Sequence, residues 1–543
     1  MFLKQQKNPL FSIRGSYLVL KVLGEYISIE TIAEGENNPF LRVRMQPGDT
    51  VEYAPSHMTV KRDGGCFRFA LNGLYDLSVS GNIPVELLHI RNQGYESTTV
   101  FEYDGKACLN NCKTKNALWF IPLAGRCKTH STWGEGEISN GDIRIMLLPE
   151  QGKDFEAYMQ TVLTPSRAET EKPPSFRVCR ENAEKDFLDF CKKIGCGADY
   201  DLEAAYVIWS NIVGAAGNYE AETIVSSKYG MARVWSWDNC FSALGVAKAF
   251  PELAWNMFIL PFRHQFENGY VPDCISPFSM FINCAKPPVK GWFYRELMGR
   301  HTLFAEPAQM RSACEAMTKE IDWWMHGRDC APCYWHGNDS GADNATCFDE
   351  KSEMQLPELY ALLSVQCIVA AELAQRLGYD RTAKKYEALA GKLADETAEQ
   401  FWDGARLFSR RADTGAPVYS DALLVLRTAM LGKRLPPQIR RYIAERVEKA
   451  FLGNFGVASE ALDSRKFDPD GYWRGAVWPA DQIMYSIALK EMGFAQLAKT
   501  IQNRFLAAVQ KNGCWENYDV HTGKGIRCPN YIWGAAANFI FTE

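Results

Sequence analysis

The pattern of apolar and polar positions divides the chain in two. Over residues 1–150, short runs rich in Val, Ile, Leu and Phe (SYLVLKVL, CFRFALNG, PVELLHI, TVFEYDG, ALWFIPLAG, DIRIMLL) alternate with turns of Gly, Asn and Asp. That spacing predicts antiparallel strands in a β-sandwich domain. Residues 151–180 hold a short helical patch and then TPSRAETEKPPSF, polar and proline-bearing, which is expected to be a linker. From 181 to 543 the apolar residues recur at three- and four-residue steps, as in LEAAYVIWSNIVGAA, PELYALLSVQCIVAAELAQRLG and DQIMYSIALKEMG. Several of these runs end at Gly, a usual helix stop. Helix follows helix with no strand pattern between them, so the expectation is a mainly α chain whose second domain is a toroid of helical hairpins. No short fixed repeat supports a solenoid.

Composition narrows the partners. The 543 residues carry 60 basic and 65 acidic side chains, a net charge of −5, which offers no basic surface for nucleic acid or an anionic membrane. No apolar run is read as a membrane span, and MFLKQQKNPLF lacks the core of a secretory signal. Seventeen cysteines, scattered singly for the most part, suggest free thiols and a cytoplasmic location. One CxxC, Cys330 to Cys333, with His326 and His336 nearby, is too sparse for a standard zinc site. Oligomeric state stays open. The 15 tryptophans stand out, because indoles fill cores and also cover sugar rings.

Several of them lie in irregular segments between the helices, beside acidic groups. RVWSWDNCF places Trp235 and Trp237 next to Asp238, either as a helix cap among buried indoles or as a sugar subsite. KPPVKGW brings Lys286 and Trp292 into a rigid proline loop. NDSGADNATCFDE, residues 338–350, holds Asp339, Asp343, Asp349 and Glu350. Those carboxylates could be solvated, could bind a structural calcium although the EF-hand order is missing, or could supply an acid. DGYWRGAVWP sets Arg474 between Trp473 and Trp478, where burial would demand a carboxylate or a sugar hydroxyl as partner. WENYDVHTGKG puts Glu516 beside Trp515 and Tyr518. Each segment alone has a structural explanation. Together they supply what glycoside hydrolysis needs: two carboxylates from separate loops, one to protonate the leaving oxygen and one to activate water or attack the sugar.

The same segments, in the same order over about 200–543, resemble those of glycoside hydrolase family 63, with trehalases as more distant relatives. RVWSWDNCF is similar to its W-x-W-D segment, KPPVKGW to its Q-P-P loop, DSGADNAT to its acid loop, YWRGAVW to its Y-W-R-G segment and WENYDVHTGKG to its base loop. The resemblance implies an (α/α)6 barrel with Asp343 as general acid and Glu516 as general base. It also implies sugar contacts from Trp237, Asp238, Trp473 and Arg474, with no organic cofactor. Lys286 stands where many members have Gln, and Ala345-Thr346 replaces Ser-Pro, so the leaving-group side departs from the family. The expected activity is inverting, exo-acting hydrolysis of α-glucosides, on short oligosaccharides or small glucosides. A mannosylglycerate or glucosylglycerate hydrolase and a disaccharide phosphorylase are the alternatives on the same scaffold. A sugar-binding protein with a decayed site is a third, which the presence of both carboxylates weakens.

Overall fold

The computed structural model describes residues 10–90, 98–111, 116–132, 142–162, 168, 172–327 and 331–542. Fifteen strands come first: β1 (Leu10–Phe11), β2 (Leu18–Leu23), β3 (Tyr26–Thr31), β4 (Asn38–Arg44), β5 (Thr50–Ala54), β6 (His57–Arg62), β7 (Gly65–Asn72), β8 (Asp76–Gly81), β9 (Val85–His89), β10 (Thr99–Tyr103), β11 (Lys106–Asn111), β12 (Asn116–Ala124), β13 (Arg126–Ser131), β14 (Ile143–Leu148) and β15 (Phe155–Val162). They form two antiparallel sheets, β1-β2-β3-β4-β9-β14-β13 and β10-β11-β12-β15-β8-β7-β6-β5. Burial alternates along β14, as a sheet with one covered face requires. This β domain followed by a helical one makes the chain α plus β rather than mainly α.

Two expectations for residues 151–211 change. FEAYMQTV, expected within a linker with a short helix, is strand β15. It pairs with β12 (Phe120 opposite Met159) and with β8 (Ala157 opposite Val79). Its β-branched and aromatic residues gain two ladder partners that an isolated helical turn would lack. Helices α1 (Phe176–Ile194) and α2 (Asp199–Asn211), assigned to the helical domain from periodicity, group instead with the strands. The chain divides into compact units at residues 1–233 with 276–279, and 234–275 with 280–543. The cause lies on α1, whose Phe176 and Cys179 pack with Ala70 and Tyr158 of the sheet.

The second unit contains α3 (Asp238–Val246), α4 (Pro251–Arg263), α5 (Lys290–Met298), α6 (Pro307–His326), α7 (Pro357–Arg376), α8 (Asp380–Gln400), a 3-10 stretch at Leu423–Arg434, α9 (Pro437–Arg446), α10 (Pro479–Glu491), α11 (Ala495–Asn512) and α12 (Ile532–Thr542). Contacts run from α3 to α5, α7, Leu423–Arg434, α10, α12 and back to α3, a closed ring of six. Two of the ring helices are buried on all sides: every residue of α3 is buried, as is Ile532–Phe541 of α12. Their partners α4, α6, α8, α9 and α11 pack outside. On α8 only Tyr386, Ala390, Leu393 and Thr397 are buried, the single stripe of an outer helix. Helix α7 is long and apolar enough to cross a membrane, contrary to the expectation that no segment is. Sixteen of its 20 residues are buried, because it contacts α5, α6, α8 and the Leu423–Arg434 stretch.

Candidate active site

Almost every candidate residue in this unit lies at or near the start of a ring helix. Trp237 and Asp238 open α3, Lys286 precedes α5, the acidic loop precedes α7, Trp473 and Trp478 precede α10, and Glu516 precedes α12. Folding six apolar helices into a ring brings these leading segments together.

The acidic loop divides its charges among different tasks. Asp339 is 1% exposed and accepts the backbone N–H groups of Ala285 (2.9 Å) and Trp335 (2.9 Å), stapling the Lys286 loop to the acidic loop. Asp349 pairs with Arg474 (2.5 Å) and Lys466 (2.9 Å). Glu350 is exposed, and Asp343 is partly exposed just after the buried Ala342. Gly341 has φ +69°, and a Cβ there would meet the Trp237 indole at 2.7 Å, so the loop lies directly against that ring. Among the described residues no group of three or more His, Cys, Asp or Glu is arranged to hold a metal ion. Asp339 and Asp349, two of the oxygen donors weighed for calcium, are committed to protein partners. Cys330 of the CxxC lies outside the described residues.

The YWRG segment clamps this loop. Asn344 donates to the Gly471 carbonyl (3.0 Å) and accepts the Trp473 N–H (2.9 Å). Arg474 Nε donates to the Asn344 carbonyl at 2.9 Å. The sequence leaves a carboxylate or a sugar hydroxyl as partner of Arg474, and the family resemblance implies sugar contact. The partners of Arg474 in the structure are the backbone and carboxylate of the acidic loop, which satisfies the demand for a counter-charge. Trp473 and Trp478 stack in parallel, 3.8 Å apart and 2° from coplanar. Trp473 leans on Trp237 at 6.2 Å, and both rings lie over the buried Arg427 guanidinium, at 5.2 and 5.4 Å. Arg427 is itself held by Asp481 at 2.8 Å.

Glu516 sits on a strand, Trp515–Tyr518, that pairs with Gly525–Pro529 and bridges to Val477 through Tyr518. Its side chain is buried and accepts the Cys528 N–H at 3.2 Å. Burial pushes its carboxyl from 4.5 up to about 7, and the nearby Asp343 charge adds to the rise. The Cys528 bond, Arg527 and the Tyr472 hydroxyl pull the other way. Tyr472 is therefore the meeting point. Burial raises its phenol, and the charges of Asp343, Glu516 and Asp238 add to the rise. Its φ of +65° is strained for a tyrosine, and the strain is held by Trp478 Nε1 donating to its carbonyl (3.1 Å). Asp238 accepts the Tyr531 hydroxyl at 2.7 Å, and burial lifts its carboxyl from 3.8 to about 7.

The remaining candidates lie at different depths. Trp235 is partly exposed on a short strand paired with Cys274. Lys286 is buried, 3.3 Å from Asp273, and its ammonium interacts with Asp343 and Asp238. Trp292 is a core residue behind Trp237: it packs on Phe293, which packs on Phe241, which packs on Trp237. Tyr518 is fully buried, with its hydroxyl spent on Gly513 O (2.8 Å) and Trp515 N (2.9 Å), so it shapes the Glu516 loop from behind. Tyr472, Asp273, Arg427 and Tyr531 were not singled out from sequence. Arg427 had a readable signal, a lone cation inside the apolar run LLVLRTAML.

The model of the mannosylglycerate hydrolase MGH1-like glycoside hydrolase domain matches residues 231–534. The chain belongs to this family. The mannosylglycerate hydrolase MGH1 of Selaginella moellendorffii is 21% identical over 434 residues, covering 64% of this chain and 88% of its own. The glucosylglycerate hydrolase of Mycolicibacterium hassiacum is 29% identical over 196 residues, 33% of this chain, which spans less than half (41%) of that relative. Among solved structures, the GH63 mannosylglycerate hydrolase of Thermus thermophilus aligns with TM-score 0.57 and 18% identity over 63% of this chain and 100% of its own. A bacterial glucoamylase aligns with TM-score 0.66 and 11% identity over 98% of this chain and 93% of its own. The glucoamylase shares the whole fold, a β domain followed by an (α/α)6 helical domain, and the GH63 hydrolase shares part of it.

Proposed function

We propose that this protein hydrolyses the α-glycosidic bond of a small glycosylglycerate, mannosyl or glucosyl, with inversion. In this reading Asp343 protonates the glycosidic oxygen and Glu516 takes a proton from the attacking water. The observation that carries it is that the loops of Asp343 and Glu516, far apart in the chain, both dock on the 471–477 segment: Asn344 bonds Gly471 and Trp473, and Tyr518 bridges Val477. The family membership and the names of its relatives support glycerate glycosides ahead of the short-oligosaccharide α-glucosides expected from sequence. Asp238, Trp237 and Trp473 are the groups proposed to hold the sugar, with Trp235 at the entrance. An inverting pair needs carboxyl groups roughly 6.5–9.5 Å apart, with the water between them.

The test is proton NMR of the anomeric region at early times, without phosphate. The substrates are α-mannosylglycerate, α-glucosylglycerate, maltose and trehalose. Release of the β-sugar first from a glycerate glycoside is the expected result. Asp343→Asn should lower kcat by roughly two to four orders of magnitude with folding intact. Near-normal turnover by that variant would remove Asp343 from the mechanism.

A further inference from the structure

Lys286 is a buried cation whose ammonium interacts with Asp273, Asp343 and Asp238. It arrives from a proline-rich loop and donates to the Asn338 carbonyl at 3.0 Å, which anchors the start of the loop that carries Asp343. An uncompensated ammonium at that place has a chemical cost. A buried positive charge favours ionised over protonated carboxyl groups around it, and a general acid must hold its proton until the leaving oxygen takes it.

Asp273 answers that charge. Its backbone is fixed on both sides: its carbonyl accepts the Ser236 N–H (2.9 Å), and its own N–H donates to the Phe281 carbonyl (2.9 Å). One carboxylate oxygen accepts the Cys284 thiol at 3.4 Å, and the other lies 3.3 Å from Lys286 Nζ. At 8% exposure it has little water to share its charge with. Asp273 is thus aimed at the ammonium by two neighbouring segments and a thiol. The charged and titratable groups around the pair are Asp343, Asp238 and Cys284. Beyond them, Tyr472 and Glu516 face Asp343, and Arg527 faces Tyr472 and Glu516. For Lys286, burial alone would favour the neutral amine, and Asp273, Asp343 and Asp238 outweigh it.

We propose that Asp273 is a positioning residue that neutralises Lys286, so that Lys286 can anchor the acidic loop without drawing the proton from Asp343. The inference rests on Asp343 being the general acid. Asp273 touches no reacting atom in this role. It sets the charge of the group that holds the loop.

The experiment measures kcat/KM against pH for the full-length protein on two donors, the glycerate glycoside that the NMR panel selects and the α-glycosyl fluoride of the same sugar. Fluoride leaves with little protonation, so the descending limb that reports the acid should be present with the first donor and absent with the second. Asp273→Asn should move that limb to lower pH by about one unit. Lys286→Gln should move it to higher pH, and the double variant should return it close to the wild-type position. A limb in Asp273→Asn that coincides with wild type, while wild type shows the difference between donors, would overturn the role of Asp273 and leave Asp343 as acid. A descending limb that persists on the fluoride in the wild type would overturn the assignment of Asp343, and the inference with it. Should Asp273→Asn fail to fold, as judged by circular dichroism, Lys286→Gln carries the test alone, because a merely structural lysine would leave the limb in place.

Discussion

Replacing Glu516 by Gln should stabilise the protein above neutral pH while removing its activity. The folded state holds the Glu516 carboxyl at about 7 against an ordinary 4.5, because the group is buried. Between those values the folded protein keeps a proton that the unfolded chain has lost, so its stability falls as pH rises through that window. The cost is absent well below 4.5 and complete above about 7. At about 1.4 kcal/mol per pH unit it comes to roughly 3 kcal/mol at full ionisation. The glutamine keeps an oxygen to accept the Cys528 N–H and carries no charge to desolvate. Asp238 is also lifted to about 7, but it is common to both proteins and cancels in the comparison. The assay is thermal unfolding of wild type and Glu516→Gln at about pH 4 and about pH 8.5, with hydrolysis measured alongside. The midpoints should nearly coincide at the lower pH, and the variant should be the more stable at the higher one. Parallel profiles would refute the reasoning, because Glu516 would then titrate as an ordinary surface carboxylate. This outcome does not depend on which sugar is cleaved.

Three other substitutions separate the roles within the acidic loop. Asp339→Ala leaves the buried N–H of Ala285 and the part-buried N–H of Trp335 without this acceptor, so roughly 1–4 kcal/mol of stability should be lost, read as a drop in unfolding midpoint. Arg474→Met removes an ion pair whose arginine side chain is 34% exposed, so stability should change by about 1 kcal/mol or less. Its kcat should nevertheless fall, by up to about a hundredfold if the loop carrying Asp343 shifts by about 1 Å, with KM changing little. Gly341→Ala strains a φ of +69° and drives a methyl into the Trp237 indole, so thermal midpoint and turnover should fall together.

Much of this architecture could be read from the sequence, and the parts that could not share a physical cause. The helices of the second unit were legible from apolar residues at three- and four-residue steps, but which of them line the ring was not; burial shows it, on nearly all sides of α7 and on one stripe of α8. Strand β15 was not legible, because FEAYMQTV is short, and only its two neighbours in the sheet decide between strand and helix. The same holds for α1, whose apolar stripe says that it packs but cannot say whether against helices or the β7 face. The site divides along the same line. Asp343 and Glu516 could be proposed from local motifs, since each lies in a loop whose own residues mark it. What governs those carboxylates could not. Asp273 matters through Lys286, 13 residues on, and Arg427 matters through Trp237 and Trp473, nearly 200 residues before it and about 50 after it. Arg474 carries the same lesson. Its local context left a carboxylate or a sugar hydroxyl as partner, and only the folded chain brings Asp349, 125 residues away, against it.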